Sequence, residues 1–475
     1  MMGSVGERRA KVLVMHALRP TSRQTTIDHL ESFRVHLPDA DVQYMHFQQS
    51  PPAEAAPDVF VINYDFLNYR FSPLWPFIRN RHRDIARRSG KVVAIAQDDF
   101  WANKLLDNWC VDWQVDRILT PIDNDLHVLY PRSFGSTEIL TCLTGYVKSG
   151  RPPVTRPLSQ RQIDLGQRVR DMPPHLGRLA QAKADQANAV AASARAAGFV
   201  VDVSTNVADS FIGKAWFDFL TSCRFTVGMK GGASLNDPYG LIYTRVHAYL
   251  ARNPDSTFDD IERKCFPGKD MHHRFTAISP RLFESALAGT CQILQRDDYL
   301  GVLTPWRDYL PLEGDMSNMD EVIEAMRDLE RCQEIVSRAR EALVESGEFD
   351  YSKLVQLAVG GLINQRNDDL AEWEEMRAYL DRSSKGFRTH GAEFHDASVS
   401  LIMEDLLLKR RIRDVHHLQM SRHQPETTAI LECMTEGWET EWFEAMLNEM
   451  RSDSLAFRAP WVWRPACFPA DASAA

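Results

Sequence analysis

The chain has 475 residues, 44% hydrophobic and 25% charged, with 55 Lys+Arg against 65 Asp+Glu for a formal charge of −10. That is ordinary globular usage, which excludes a largely disordered chain and, at roughly 100–200 residues per domain, favours two or three domains. The mild acidity and the lack of a long basic run exclude nucleic acid as an expected partner. No run nears the roughly 18 apolar residues of a membrane span and no signal-peptide core opens the sequence, so a soluble cytoplasmic protein is expected, with at most peripheral membrane contact. The eight scattered cysteines form no C-x-x-C pair, which argues for reduced thiols over a zinc ribbon or a disulfide framework.

Short β-branched runs recur at Lys11–Ala17, Val42–Phe47, Val59–Asn63, Lys91–Ala96 and Arg117–Thr120, separated by polar stretches of helical length such as Thr26–Val35 and Asn80–Ser89. That alternation predicts a parallel, doubly wound sheet. Three prolines and a glycine in Ser149–Pro157 predict a stiff linker. A second alternating series follows: a helix over Leu179–Ala197 that Gly198 can end, a strand at Phe199–Val203, an aromatic helix at Ala215–Leu220 and a strand at Arg224–Gly228. Beyond an irregular stretch come a helix from near Ser279, a strand at Gln292–Leu294 and a helical region from Asp320 to Glu345. The predicted fold is α/β: two tandem Rossmann-like domains, 1–150 and 158–365, facing a cleft, then a helical extension over 366–475 with helices at Ser398–His417 and Thr440–Met450.

Ligands of such sheets bind beyond the carboxyl ends of the strands. The first strand leads to His16 without a G-x-G-x-x-G fingerprint, which weakens a dinucleotide reading. The richest stretch is Ala277–Leu294, AISPRLFESALAGTCQIL. Ser279 suits an N-cap and Pro280 the first helical position, which puts Arg281 where free N–H groups attract anions. Arg281 and Glu284 share a helix face, so a guanidinium can meet a diphosphate while the carboxylate meets a diol. The competing reading is an ordinary i,i+3 ion pair on a solvated face.

Arg281-Leu282-Phe283-Glu284, with Gly289 and an apolar strand behind it, resembles the donor-binding helix of group 1 glycosyltransferases of the GT-B fold. The branch it is most similar to holds spore-maturation and surface-polysaccharide transferases. The likeness runs over about Ile163–Asp350 and takes in Gly231–Gly240 (GGASLNDPYG), Tyr309-Leu310-Pro311-Leu312 and Asp315-Met316-Ser317-Asn318. It implies a metal-independent, hexosyltransferase-like enzyme that uses a nucleotide sugar as co-substrate and no further cofactor. The implied acceptor is a saccharide or lipid-linked hydroxyl in surface-glycan or glycoconjugate synthesis. In that group an acidic residue stands eight positions before the equivalent of Glu284. Here the position is Thr276, with an insertion-like stretch Leu241–Phe275 before it and Asp237 as a replacement candidate. The departure keeps open a catalytically silent nucleotide- or glycan-binding scaffold, and a nucleotide-sugar epimerase is a further reading.

The same group carries G-R-x-x-x-x-K for the diphosphate, matched in spacing by Gly177, Arg178 and Lys183. Arg168 and Arg170 compete for that role. Lys230 beside Gly231 is another candidate, since glycine lets backbone approach a phosphate closely. On the acceptor side His16, Asp98 and Asp99 are candidate general bases, imidazole because it titrates near neutrality. The competing readings are a hydrogen-bonded strand-end histidine and a helix-capping aspartate. Asp123-Asn124-Asp125 has D-x-D spacing but sits in a Pro-led loop and reads as a turn. No metal is expected. His390, His395, His416, His417 and His423 lack ligand spacing, and Trp438–Phe443 suits a packed helix face.

Overall fold

In a computed structural model the described residues are 9–19, 22–49, 55–72, 75–148, 156–211 and 213–363. The expected linker Ser149–Pro157 lies mostly outside them, and the whole 366–475 extension lies outside them.

Six parallel strands form the first sheet: β1 (Lys11–His16), β2 (Asp41–His46), β3 (Val59–Ile62), β4 (Lys91–Ile95), β5 (Arg117–Thr120) and β6 (Glu138–Thr141), in the order β2-β1-β3-β4-β5-β6. Val12, Val14, Val59, Val61 and Val93 are buried on one face, Met15, Phe60, Ile62 and Ala94 on the other, as a sheet covered on both sides requires. The second sheet is built from β7 (Ile163–Arg168), β8 (Val201–Ser204), β9 (Cys223–Gly228), β12 (Cys291–Gln295) and β13 (Leu310–Leu312), in the order β13-β12-β9-β7-β8, again parallel. A small antiparallel two-stranded sheet, β10 (Gly231–Ala233) with β11 (Phe275–Ala277), stands apart from both sheets. Two tandem Rossmann-like domains in a GT-B-like arrangement are therefore present.

Local chemistry accounts for the element ends. The helix Arg178–Ala196 stops where Gly198 takes φ 87°, a left-handed conformation that favours glycine. Asp328 caps Leu329–Arg340 by accepting the Arg331 N–H. The expected Asp320–Glu345 helix is thus two, Met319–Ala325 and Leu329–Arg340, the latter running on into a π turn at Glu341–Glu345. Strand β6 carries no apolar run long enough to announce itself: only Ile139 and Leu140 separate polar ends. Among the described residues no helix is long and apolar enough to cross a membrane.

Two segments placed by sequence position in the second domain pack on the first. The helix Tyr351–Val359 buries Leu354, Val355, Ala358 and Val359 against Val12, Val14 and Leu30, and Arg117 Nη1 donates to its terminal carbonyls at Leu357, Ala358 and Gly360. The stretch around 231–277 joins the first domain's largest core: Ala233, Tyr243 and Phe275 share one apolar cluster with Phe71, Phe100 and Trp101. Trp101 stacks on Phe71 at 4.0 Å between ring centroids and meets Tyr243 at 4.7 Å and His175 at 4.9 Å. Backbone bonds reinforce this seam, with the Ala102 N–H donating to Asp237 O at 2.8 Å and Lys104 N–H to Pro238 O at 3.2 Å. The interface between the sheets is therefore a continuous core and not a wet surface contact.

Trp101→Ala removes the centre of that seam and is expected to cost about 3–5 kcal/mol in denaturant unfolding, the range for emptying an aromatic core site. A loss below about 1 kcal/mol would mean that the two domains are stabilised independently.

Candidate functional site

The carboxyl end of the second sheet carries a cavity of about 30 Å³, lined entirely by second-domain residues that include Lys183, Trp216, Gly228, Ser279, Arg281 and Tyr299. That holds about two waters, so a larger ligand would extend beyond it.

The helix Arg281–Leu287 starts one residue later than its sequence suggests. Pro280 is the residue before it, and the Arg281 N–H reaches Ser279 Oγ only at 3.4 Å. With seven residues its dipole is short, so its side chains matter more than its terminus. The Arg281 guanidinium lies over the Trp216 ring, 5.2 Å from the centroid, and Trp216 Nε1 donates to Glu284 Oε2 at 2.8 Å. Trp216 comes from the helix Lys214–Ser222. No nitrogen–oxygen contact within 4.0 Å joins Arg281 to Glu284 among the described residues, so the solvated i,i+3 ion pair is not formed.

Lys183, one turn into the helix Arg178–Ala196, reaches the same cavity, and a methyl group added at Gly231 would lie 3.7 Å from its Nζ. Burial and, to a lesser extent, repulsion from Arg281, Arg23 and Arg170 together lower the Lys183 pKa to about 7. Arg281 is also pulled below its usual value by burial; Glu284 opposes the shift, while Arg23 and Arg170 add to it. Arg170 and Lys183 have no ion-pair partner among the described residues. Arg23, which precedes the helix Gln24–His36 in the first domain, is exposed and completes a four-cation group that spans the cleft.

Across from these cations stands Asp98, in the turn after β4. It is held at φ 57°, a left-handed conformation uncommon for a residue with a Cβ. Arg70 supports the turn by donating to the carbonyls of Gln97 at 2.8 Å and Asp98 at 2.9 Å. Among the described residues nothing hydrogen-bonds the Asp98 carboxylate. Burial raises its pKa, and Arg70, Arg23 and Arg170 hold it partly down.

The structure therefore brings together Arg281, Glu284, Lys183, Arg170, Ser279, Gly231 and Asp98. Other expected positions are occupied differently. Arg178, 49% exposed, is bound at 2.7 Å to Asp259 and at 2.5 Å to Glu262 of the helix Phe258–Cys265. Arg168 pairs with Asp202 at 2.8 Å and lies over the Phe219 ring. Lys230 is tied to Asp297 at 3.1 Å. His16 is fully buried at the end of β1, its Nδ1 accepts the Leu18 N–H at 3.2 Å, and burial lowers its pKa to about 3. It stays neutral and out of a substrate's reach. Asp99 is fully buried and accepts a hydrogen bond from Tyr130. Asp237, the replacement candidate for the acid missing at Thr276, accepts the Tyr243 N–H at 2.8 Å at the start of the helix Leu241–Leu250. In the D-x-D stretch, Asn124 donates to Arg274 O at 3.0 Å and Asp125 meets His273 at 3.0 Å, so the loop braces the start of β11. Trp216 and Arg23 were not expected. The aromatic run around Trp216 and the Ser/Arg-rich loop after β1 were their only signals.

No protein-family model matches the chain, and no curated protein matches its sequence. Among solved structures, Anabaena Alr3699/HepE in complex with UDP-glucose aligns over 74% of this chain and 99% of its own, at 10% identity and a TM-score of 0.41. The T4 phage BGT complex with UDP-glucose aligns over 74% and 99%, at 9% identity and a TM-score of 0.45. The TarM crystal structure aligns over 65% and 55%, at 10% identity and a TM-score of 0.37.

Lys183 generates a pH signature. Its pKa is depressed on folding, so between about pH 7 and 10 the unfolded chain binds more protons and stability contributed by this site rises with pH; below pH 7 both states are protonated and the burial penalty is constant. Lys183→Met is expected to raise Tm at pH 6.5, with the gain shrinking towards pH 10. A gain that is independent of pH would mean that Lys183 titrates normally.

Proposed function

We propose that the chain is a nucleotide-sugar-dependent glycosyltransferase, with the donor diphosphate on the second domain and a hydroxyl acceptor, a saccharide or a lipid-linked glycan, entering from the first. The observation that carries this reading is the set of convergent cations, Arg281, Lys183 and Arg170 with Arg23 opposite. The first three are at least partly buried and lack ion-pair partners among the described residues, and Arg170 and Arg23 act on the Asp98 carboxylate. Unpartnered buried cations are costly unless an anion joins them.

In the reaction the bond between the sugar's anomeric carbon and the diphosphate oxygen breaks as the acceptor oxygen bonds to that carbon. The acceptor's proton passes to Asp98, and the diphosphate leaves with the electron pair. Negative charge builds on the departing oxygen, where fixed cations in a poorly solvated cleft lower the barrier. The raised pKa of Asp98 makes its carboxylate a stronger base than a free one, and no described residue hydrogen-bonds it, which leaves it available. Glu284 offers its second oxygen to a ribose diol. The reaction requires no cofactor or metal in this reading, and the biological setting is surface-glycan or glycoconjugate synthesis in the cytoplasm.

A panel of nucleotide sugars is expected to raise Tm, because ligands that bind only the folded state stabilise it. Indifference to every nucleotide and nucleotide sugar would remove the reading. Arg281→Ala is expected to lower kcat/KM by roughly 100- to 1,000-fold, as loss of one oxyanion-type contact does. Asp98→Asn is expected to lower kcat by about 100- to 10,000-fold with little change in donor binding. The wild-type rate should fall with decreasing pH along a limb set by Asp98, above the range of a free aspartate. A limb that survives in Asp98→Asn would assign the base to another group.

A further inference from the structure

The geometry points to Trp216 as a positioning residue that keeps Arg281 and Glu284 apart, so that a cation and a carboxylate three residues apart on one helix both face the ligand. This rests on the donor-binding reading of the cleft and concerns how that site is kept open to an anion.

Left to themselves, Arg and Glu at i and i+3 on one helical face attract each other. Trp216 engages each with a different part of one rigid ring system. Its indole N–H holds Glu284 Oε2 at 2.8 Å, and its face carries the Arg281 guanidinium at 5.2 Å. The N–H bond occupies one carboxylate oxygen and restrains the other, while the ring face supplies the attraction that would otherwise come from the carboxylate. Trp216 is half-buried and lines the cavity together with Arg281 and Lys183, so the indole–guanidinium pair sits on the cavity's side of the helix. No other described side chain hydrogen-bonds Glu284. Loss of the N–H therefore releases Glu284 towards Arg281 and withdraws the cation from incoming phosphates.

Inorganic pyrophosphate is the probe, since it reports on the cations without requiring the base or the sugar of a donor. At pH 6.5, where Lys183 is charged, calorimetric titration compares wild type with Trp216→Phe, Glu284→Gln and the double variant. Trp216→Phe keeps a ring face and loses only the N–H; it is expected to weaken pyrophosphate binding about tenfold, the size of one charge-assisted contact. Glu284→Gln cannot capture Arg281, so the double variant is expected to regain wild-type affinity or better. That coupling is not what a purely structural tryptophan produces, for which Glu284→Gln changes affinity by the same factor whether position 216 carries Trp or Phe. Trp216→Leu, alone and with Glu284→Gln, is carried alongside and read the same way should the phenylalanine variant fold poorly. Wild-type affinity in Trp216→Phe, absence of restoration by Glu284→Gln, or no pyrophosphate binding by the wild type would each overturn the positioning role. If the pyrophosphate results come out as expected and no nucleotide sugar supports transfer, the positioning role stands and the glycosyl-transfer reading falls.

Discussion

Burial of aromatic surface across the seam at Trp101 is the interaction on which the rest of this structure depends. Four cations in one cleft repel each other, and at least three of them are withdrawn from bulk water, so the folded state is destabilised wherever they gather. Something must hold the walls of the cleft in place against that repulsion. Phe71, Trp101, Tyr243 and Phe275 do so by extending the first domain's core into the second, with Ala102 and Lys104 bonded to the backbone of Asp237 and Pro238. Aromatic rings bury large areas at small entropic cost, which suits them to offset a localised electrostatic penalty.

The sequence reading reached the fold because periodicity reports burial directly. Each run such as KVLVMH or KVVAI is buried on both faces, and a parallel sheet between helices is the architecture that demands it. It also located the Arg281 helix, where residue type and spacing agreed. It failed where the decisive fact is which partner a charged group finds in three dimensions. Gly177, Arg178 and Lys183 fit a diphosphate motif equally well, yet Asp259 and Glu262 of Phe258–Cys265, 81 or more residues away, claim Arg178 and leave Lys183 without an ion-pair partner among the described residues. Arg168 ends β7 and goes to Asp202 and Phe219, while Arg170 joins the cleft from beyond the strand's end; strict alternation would have put both on one face. Trp216 was legible only as part of an aromatic helix, and its value lies in two contacts with a helix 65 and more positions further on, which no local pattern encodes.

Asp98 and Asp99 illustrate how one backbone dihedral divides two chemically identical neighbours. An extended residue at 98 would continue the alternation of β4. The left-handed turn instead, supported by Arg70 on the carbonyls of residues 97 and 98, leaves the Asp98 carboxylate beside the cations, while Asp99 turns inward to Tyr130. Strain of this kind persists only where surroundings over-determine it, and Arg70, itself buried and bonded to four carbonyl groups and Asn68, supplies that determination.

The cleft is also not a uniformly charged surface. Lys183, with its pKa brought down to about 7, is partly neutral near physiological pH, whereas the guanidiniums keep their charge there. The empty site therefore relieves part of its own repulsion by releasing a proton, and an arriving anion reverses this by drawing the proton back to Lys183. Affinity for the anion then includes the free energy of that proton uptake, so binding weakens as pH rises above the lysine's pKa, while Arg281 and Arg170 supply attraction that does not vary. A lysine between arginines thus couples the stability of the empty cleft to the charge of whatever occupies it. An arginine at position 183 could not do so, since it would keep the repulsion permanently.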